Sequence, residues 1–299
     1  MENTAQNKNS FHLAGIIPVA GQELDFNFPW HDCLQPIAQN YLAIERSVVE
    51  CAYAGCETIW IVCYDDMQPL IRYRLGEYVQ DPLGLSPNYR LHPSQHHKPI
   101  PIFYVPIHVK DLGKRDSLAW SILYGAQTAY WLSRKISKWV IPDKYYVAFP
   151  YGIHKPEELK PFRKIISSKK RFYLSHNGKT IKDGEYLGFT FDGEDFKKFR
   201  RFIRKEGTGE KVPNQVGIPT EKLPIEERWS GRFFTLEKVF QSVIMEDAEV
   251  FELPWHYNID NWEGLCEYLS SDKRKEIKRP SKHLLLYHEF SRMGVDEDD

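Results

Sequence analysis

The part of the sequence that decides the fold spans residues 14–64 and is AGIIPVAGQELDFNFPWHDCLQPIAQNYLAIERSVVECAYAGCETIWIVCY. Two mostly apolar runs, residues 11–20 and 58–64, are too short for core helices and are typical of parallel strands buried on both faces. Between them, residues 37–54 carry apolar side chains at helical spacing, with Glu45, Arg46 and Glu50 among them. The stretch therefore predicts a strand, an amphipathic helix that covers the sheet, and a second parallel strand.

The same alternation continues along the chain. Further strands are predicted at residues 102–109, 145–149, 171–174, 187–191 and 248–253, and further helices at 67–78, 116–136, 235–244 and 261–270. We therefore predict an α/β fold with a doubly wound, mainly parallel (mixed) sheet and helices on both faces.

Three regions are expected from the distribution of polar residues. Residues 1–10 are predicted to be a flexible arm, residues 11–271 the α/β domain, and residues 272–299 a charged C-terminal tail. Within the domain, residues 81–101 contain five prolines and no sustained periodicity, which predicts a long surface insertion or lid.

Composition limits the partners and the compartment. A formal net charge of −1 gives no global field for nucleic acid or an anionic membrane, so we expect neither as a partner unless a local patch supplies the charge. The sequence has no leader-like segment and no apolar run of membrane-spanning length. Five cysteines, an odd number with no Cys-x-x-Cys pair, favour free thiols and a cytoplasmic location.

Seven short motifs follow one another in the chain: IIPVAG (16–21), LQPI (34–37), AG (54–55), IWIV (59–62), LGFTFDG (187–193), FTLEKVF (234–240) and YNIDNWEGL (257–265). Their order resembles that of the NDP-sugar pyrophosphorylases and related nucleotidyltransferases. The resemblance implies a Rossmann-like fold of the GT-A type, with a nucleotide or nucleotide-sugar as the expected ligand.

The resemblance also implies where the substrate would lie. The loop after the first strand keeps Ala20, Gly21 and Gln22, which we predict to contact the substrate, but it continues with Glu23 where the family has a second glycine and an arginine. The family lysine that precedes Leu-x-Pro aligns with Asp32, which reverses the charge where the phosphates require a cation.

Two carboxylates hold the metal in the family. The first aligns here with Pro150-Tyr151-Gly152 and is absent, whereas Asp260 matches the second and is the predicted metal ligand. An alternative interpretation of Asp260 is a capping box with Glu263 at the start of the last helix.

A local basic cluster also precedes the helix predicted at residues 116–136. Lys114 and Arg115, together with Lys110, lie where helix N–H groups favour anions, and we predict that Lys114 and Arg115 bind substrate. A solvated basic turn is the alternative.

Taken together, the sequence predicts a nucleotidyltransferase-like pseudoenzyme, a binding or assembly component without pyrophosphorylase chemistry and with no required cofactor. A protein partner is compatible with this role. The alternative is an active nucleotidyltransferase, or a sugar transferase on the same fold, that would use Mg²⁺ held by Asp260. A third hypothesis, nucleic-acid binding, rests only on the basic run at residues 197–205, which is also typical of a solvated helix face.

Overall fold

A computed structural model describes residues 11–22, 27–28, 30–85, 97–112, 117–136, 140–208, 210–211, 221–222, 234–280 and 285. The strands are β1 (Leu13–Pro18), β2 (Pro36–Ala38), β3 (Tyr41–Leu42), β4 (Thr58–Cys63), β5 (Tyr78–Leu85), β6 (His97–Pro106), β7 (Lys144–Val147), β8 (Gly152–Ile153), β9 (Phe172–Ser175), β10 (Phe189–Asp192), β11 (Glu210–Lys211), β12 (Glu221–Lys222), β13 (Glu249–Glu252) and β14 (Tyr257–Asn258). The helices are α1 (Ala43–Ala54), α2 (Gln68–Leu75), α3 (Leu118–Ile136), α4 (Arg163–Ile166), α5 (Gly193–Thr208), α6 (Leu236–Phe240) and α7 (Trp262–Ser270).

Eight strands form the main sheet, in the order β13-β9-β10-β7-β1-β4-β6-β5. The parallel pairs are β1 with β4, β1 with β7, β4 with β6 and β9 with β13, and the remaining pairs are antiparallel. The predicted mixed, mainly parallel sheet is therefore confirmed. So is the prediction that the first apolar run forms a central strand parallel to the second.

Helices cover both faces of the sheet, as two adjacent positions of β1 demonstrate. A Cβ atom added to Gly15 would lie 2.8 Å from Sγ of Cys51 in α1, while Ile16 meets α3 at Gly125. Because successive side chains of a strand point to opposite faces, α1 and α3 lie on opposite sides of the sheet.

Helix α1 differs from the amphipathic helix predicted at residues 37–54. Residues 36–42 form the short strands β2 and β3, and every residue of α1 is buried, including Glu45, Arg46 and Glu50. A second layer encloses the helix: Arg163 of α4 donates to the carbonyl of Ala52 at 2.9 Å, and Lys160 lies over the ring of Tyr53. The polar residues of α1 therefore belong to the interior.

The prediction of a surface insertion at residues 81–101 is wrong at both ends of this range. Residues 81–85 continue β5 and residues 97–101 begin β6, and these two strands form an antiparallel pair at one edge of the sheet. Prolines are tolerated in an edge position because an edge strand leaves part of its backbone unpaired. Residues 86–96 lie outside the described part of the chain.

Some residues of the predicted tail pack on the domain. Ile277 is buried, and Arg279 reaches Glu45 of α1 with an Nη2–Oε1 distance of 3.2 Å. Leu285 forms an antiparallel bridge with Val79 of the edge strand β5. The division of the chain at residue 271 stays a prediction.

Candidate functional site

A cleft lies at the carboxyl ends of the parallel strands β1, β4 and β6. Its volume is about 930 Å³, and it is lined by Gln22, Tyr64, Asp65, Asp66, Pro106, Ile107, His108, Val109, Leu112 and Tyr124. Ligands of doubly wound sheets bind at this edge, where the chain leaves each strand for the next connection. The cleft is therefore the candidate functional site.

The end of β1 is held by internal hydrogen bonds. The N–H groups of Val19 and Ala20 both donate to the carbonyl of Val62, at 2.8 and 3.0 Å, and Oγ of Ser121 donates to the carbonyl of Ala20 at 2.6 Å. Gly21 has a φ of 91°, which favours glycine, and its N–H donates to Oη of Tyr64 at 3.0 Å. The backbone amides of Ala20 and Gly21 thus already have protein partners.

Tyr186 brings Gln22 and Asp260 together. Its Oη lies 3.2 Å from Oε1 of Gln22 and 3.2 Å from Oδ2 of Asp260, and it has a single proton to donate to one of them. The structure therefore joins two residues that the sequence proposed separately, one after the first strand and one 238 positions later. It does so through a tyrosine that no motif identified.

Asp260 does not cap the last helix, so the capping-box interpretation with Glu263 is wrong. The N-cap of α7 is Asn261, whose Oδ1 accepts a hydrogen bond from the N–H of Gly264 at 2.8 Å. The carboxylate of Asp260 faces Tyr186 instead. Burial raises the pKa of Asp260, and the charge of Asp32 raises it further, against the hydrogen bonds from Tyr186, Asn258 and Asn261 that lower it.

Asp32, which the resemblance aligns with a lysine, is almost fully buried. Its Oδ1 accepts from the N–H of Cys33 at 2.9 Å and lies 2.8 Å from Nδ1 of His31. Its Oδ2 has no hydrogen-bond partner among the described residues. Its charge also contributes to the raised pKa of Tyr186, after burial, which is the main cause. The Asp32 carboxylate thus acts electrostatically on both Tyr186 and Asp260.

Tyr151 lies in the segment that the resemblance aligns with the family's first metal-binding carboxylate. Its side chain is fully buried, its Oη donates to the carbonyl of Val19 at 3.1 Å, and its ring lies 5.4 Å from that of Tyr186. The phenol therefore fixes the end of β1 and offers no charge to a cation.

The described residues do not fit a Mg²⁺ site. Nowhere in the described ranges do three or more His, Cys, Asp or Glu side chains come together in a way that could hold a metal ion. Oδ1 of Asp260 accepts a hydrogen bond from Nδ2 of Asn261 at 2.8 Å, and its Oδ2 lies 3.2 Å from Oη of Tyr186.

Further acids line the open side of the cleft. Asp65 and Asp66 follow β4 and are exposed. Burial raises the pKa of the adjacent Cys63 thiol to about 12, and the charges of these two aspartates add to the shift. The apolar and aromatic side chains Ile107, Val109 and Tyr124 form the rest of the wall. The lining therefore combines negative charge with a surface on which a flat or apolar group can rest.

Two residues of the predicted basic cluster, Lys114 and Arg115, lie outside the part of the chain that the structure describes. Their contact with substrate stays a prediction. Lys110 is exposed in a short 3-10 helix, Val109–Asp111, and its N–H donates to Nδ1 of His108 at 3.1 Å. The adjacent residues His108, Val109 and Leu112 line the cleft.

A buried polar network that sequence reasoning missed lies under β7. Nη1 of Arg46 is 2.9 Å from Oε2 of Glu50, and Oη of Tyr146 donates to Oε1 of Glu50 at 2.6 Å. Nη2 of Arg46 donates to the carbonyl of Phe149 at 2.6 Å, and Nη1 lies 3.4 Å from Nδ1 of His154. Burial raises the pKa of Glu50 and lowers that of His154 well below its ordinary value.

No protein-family profile and no curated protein sequence matches the chain. Solved structures do match its fold. A structure assigned as a glucose-1-phosphate thymidylyltransferase from Bacillus anthracis, in complex with sucrose, aligns with a TM-score of 0.55 and 11% identity over 91% of this chain and 98% of that one. UDP-glucose pyrophosphorylase aligns with TM-scores of 0.51 in its apo form and 0.50 with UDP-glucose bound. These two alignments have 12% and 13% identity, and each covers 89% of this chain and 100% of the other. At these identities the likeness concerns the fold, and the chain has the α/β fold of the NDP-sugar pyrophosphorylases and nucleotidyltransferases.

Proposed function

We propose that the protein is a nucleotidyltransferase-like pseudoenzyme, a binding or assembly component without pyrophosphorylase chemistry. The observation that carries this proposal is the buried carboxylate of Asp32, at the position that the resemblance aligns with a phosphate-binding lysine of the family. A site for pyrophosphate release needs cations around the phosphates and carboxylates around a metal. The described site has a carboxylate at the first position and a tyrosine at the second.

Electrostatics argue against a triphosphate in this cleft. Two unit charges 4 Å apart interact by about 4 kcal/mol at the dielectric typical of a protein surface. Asp65 and Asp66 line the cleft and would each repel the phosphates of a nucleoside triphosphate, and no described lysine or arginine lines it. Less highly charged ligands, such as a nucleotide or a nucleotide-sugar with only two phosphates, are the better candidates for a retained pocket.

The cytoplasm is the proposed location. All five cysteines are free, and four of them are buried, as expected for a protein kept in a reducing compartment. In the described part of the chain no helix combines the length and the apolar character that crossing a bilayer requires.

One observation favours the alternative, an active transferase. The Asp260 carboxylate faces Tyr186 and Gln22 at the switch point of the sheet instead of capping α7. In that case Asp260 would be the carboxylate that contacts Mg²⁺.

Two assays on the unmodified protein test the proposal. We expect a thermal-shift screen with Mg²⁺ to give a larger rise in Tm with nucleotide-sugars than with the corresponding triphosphates, because a ligand that binds only the native state stabilises it. We expect no release of pyrophosphate from triphosphates and sugar phosphates. Turnover that Asp260→Asn abolishes and the exposed control Asp272→Asn preserves would instead establish the transferase.

A further inference from the structure

The end of α3 and the exposed face of α5 form a basic and aromatic surface at some distance in sequence from the cleft. On α3, the last turn and a half presents Tyr130, Trp131, Leu132 and Ile136 with exposed fractions of 38, 49, 38 and 67%. On α5, six basic residues lie between positions 197 and 205 and are exposed. We call this area the α3–α5 surface.

A hydrogen bond places the two helices side by side. Nη1 of Arg200 donates to Oε1 of Gln127 at 2.6 Å. Tyr130 and Trp131 lie three and four residues after Gln127 and share its side of α3. Arg200 of α5 therefore lies next to the side of α3 that carries Tyr130 and Trp131, and Leu132 and Ile136 project from the same end of α3, further from α5.

The surface carries net positive charge although the whole chain does not. Helix α5 has six basic and three acidic residues, a net charge of +3. Lys197 and Lys198 lie 2.8 and 3.5 Å from Glu194 and Asp195, and these pairs occupy the start of the helix. Arg200 donates to a neutral amide, and among the described residues no carboxylate lies within ion-pair distance of Arg201. Arg200 thus brings positive charge to the side of α3.

Helix α3 contributes two more basic residues and the exposed apolar side chains to this surface. Arg134 stacks over the ring of Trp131 at 5.7 Å, and Tyr130 packs edge to face against the same ring at 5.9 Å. Lys135 lies in the last turn of α3, directly before Ile136. Four large apolar side chains at a helix end, surrounded by Lys and Arg, have the composition of a membrane-interface anchor.

We propose that the α3–α5 surface docks the protein on anionic phospholipid membranes as a peripheral contact. The cations would lie at the headgroup phosphates, and Trp131 and Ile136 would enter the acyl boundary. Single-stranded nucleic acid also attracts cations and aromatic rings, but it offers no favourable partner for exposed Leu132 and Ile136. The net charge of the whole chain is only −1, but this contact depends on the local positive charge of the α3–α5 surface.

Vesicle co-sedimentation tests the proposal with the full chain. We expect binding to vesicles of phosphatidylcholine with phosphatidylserine, much weaker binding to phosphatidylcholine alone, and a loss of binding as salt is added. Removing Arg200 or Arg201 as R200Q or R201Q should weaken binding about fivefold for each charge. Trp131→Ser with Ile136→Ser should abolish the quenching of tryptophan fluorescence by brominated acyl chains.

Matched controls keep a folding defect distinct from a binding defect. Leu70→Ser with Tyr73→Ser removes two equally exposed apolar side chains on α2, and Lys169→Gln removes an exposed cation elsewhere. Both should bind vesicles as the unmodified protein does. Equal binding to neutral and anionic vesicles, no vesicle binding at low salt, or binding of an oligonucleotide without vesicles would each overturn the proposal.

Discussion

Arg46 and Glu50 form an ion pair one turn apart on a helix whose side chains are all buried, with 2.9 Å between Nη1 and Oε2. The remaining oxygen of Glu50 accepts from Tyr146, and Arg46 donates to the carbonyl of Phe149 just after β7. The pair therefore connects α1 to the strand that leads into the candidate site. Its partners come from positions about 100 residues further along the chain, which makes it a tertiary and not a helical feature.

Replacing Glu50 with alanine should strongly destabilise the protein. The substitution leaves the buried guanidinium of Arg46 without its counter-charge, and breaking one side of a buried pair costs about 3–5 kcal/mol. The matched control is Glu77→Ala, which removes an exposed pair with Arg72 and should cost at most about 1 kcal/mol. Urea unfolding of both variants measures the difference. Equal midpoints would contradict a structural role for the buried pair.

Gly125 should not tolerate a side chain, although alanine is normally the better helix former. A Cβ atom there would lie 2.7 Å from Cγ2 of Val62 and 3.1 Å from Cγ2 of Ile16, so α3 would have to move away from the sheet. We expect Gly125→Ala to lower the free energy of unfolding by about 1–3 kcal/mol.

Gly193, at the start of α5, is the control for this substitution because an added Cβ meets nothing within 4 Å. Gly193→Ala should leave the free energy of unfolding unchanged or raise it by up to about 1 kcal/mol. Thermal and urea unfolding of the two variants provide the measurement. A stabilised Gly125→Ala variant would mean that α3 packs less closely on β1 and β4 than the structure has it.

Mild acid should destabilise the protein through His256. Burial lowers the pKa of His256 to about 3, and the charges of His176 and Arg46 add to the shift. The unfolded chain binds a proton below about pH 6.5 and the folded chain does not, so the free energy of unfolding falls as the pH falls through this window. The ring also lines a polar cavity, so solvent screening limits the loss between pH 7 and 5 to about 1–2 kcal/mol.

Urea unfolding at pH 7 and at pH 5 tests this dependence. His256→Asn should lose less stability on acidification than the unmodified protein. His108→Asn changes an exposed histidine and should lose as much stability as the unmodified protein does. If the His256 variant keeps the full pH dependence, another group is responsible for it.

The strands and helices that the sequence predicted best are those whose burial depends on local pattern. β1, β4 and α3 follow from unbroken apolar runs and regular helical spacing, and their arrangement follows from the rules of parallel sheets. The polar face assigned to α1 was wrong because its charges are buried by distant residues such as His154 and Tyr146. The edge strand β5 and the first residues of β6, 97–101, were missed because their prolines resemble those of a loop.

The candidate site was predictable only in part for a similar reason. Gln22 and Asp260 were chosen by alignment with a family, and their convergence depends on Tyr186, which lies in no recognisable motif. The burial of Asp32 was not predicted either, because aspartate is mostly exposed in folded proteins. Periodicity identifies which residues are inside, whereas the meeting of polar side chains depends on the tertiary fold.

Restoring the family's lysine alone should not create pyrophosphorylase activity. Asp32→Lys supplies a cation for the phosphates, but the segment around Tyr151, which the resemblance aligns with the first metal carboxylate, still offers no acid, and the charge of the leaving group still lacks its counter-ion. We expect no pyrophosphate release from any common nucleoside triphosphate with a panel of sugar phosphates.

Asp32→Asn is the matched control, since it removes the negative charge while keeping the size of the side chain. It should bind nucleotides at least as well as the unmodified protein, because one repulsive charge near the phosphates is gone. Turnover by Asp32→Lys that Asp260→Asn abolishes would mean that a single residue accounts for the lost chemistry, and that the described site holds a metal without the first carboxylate.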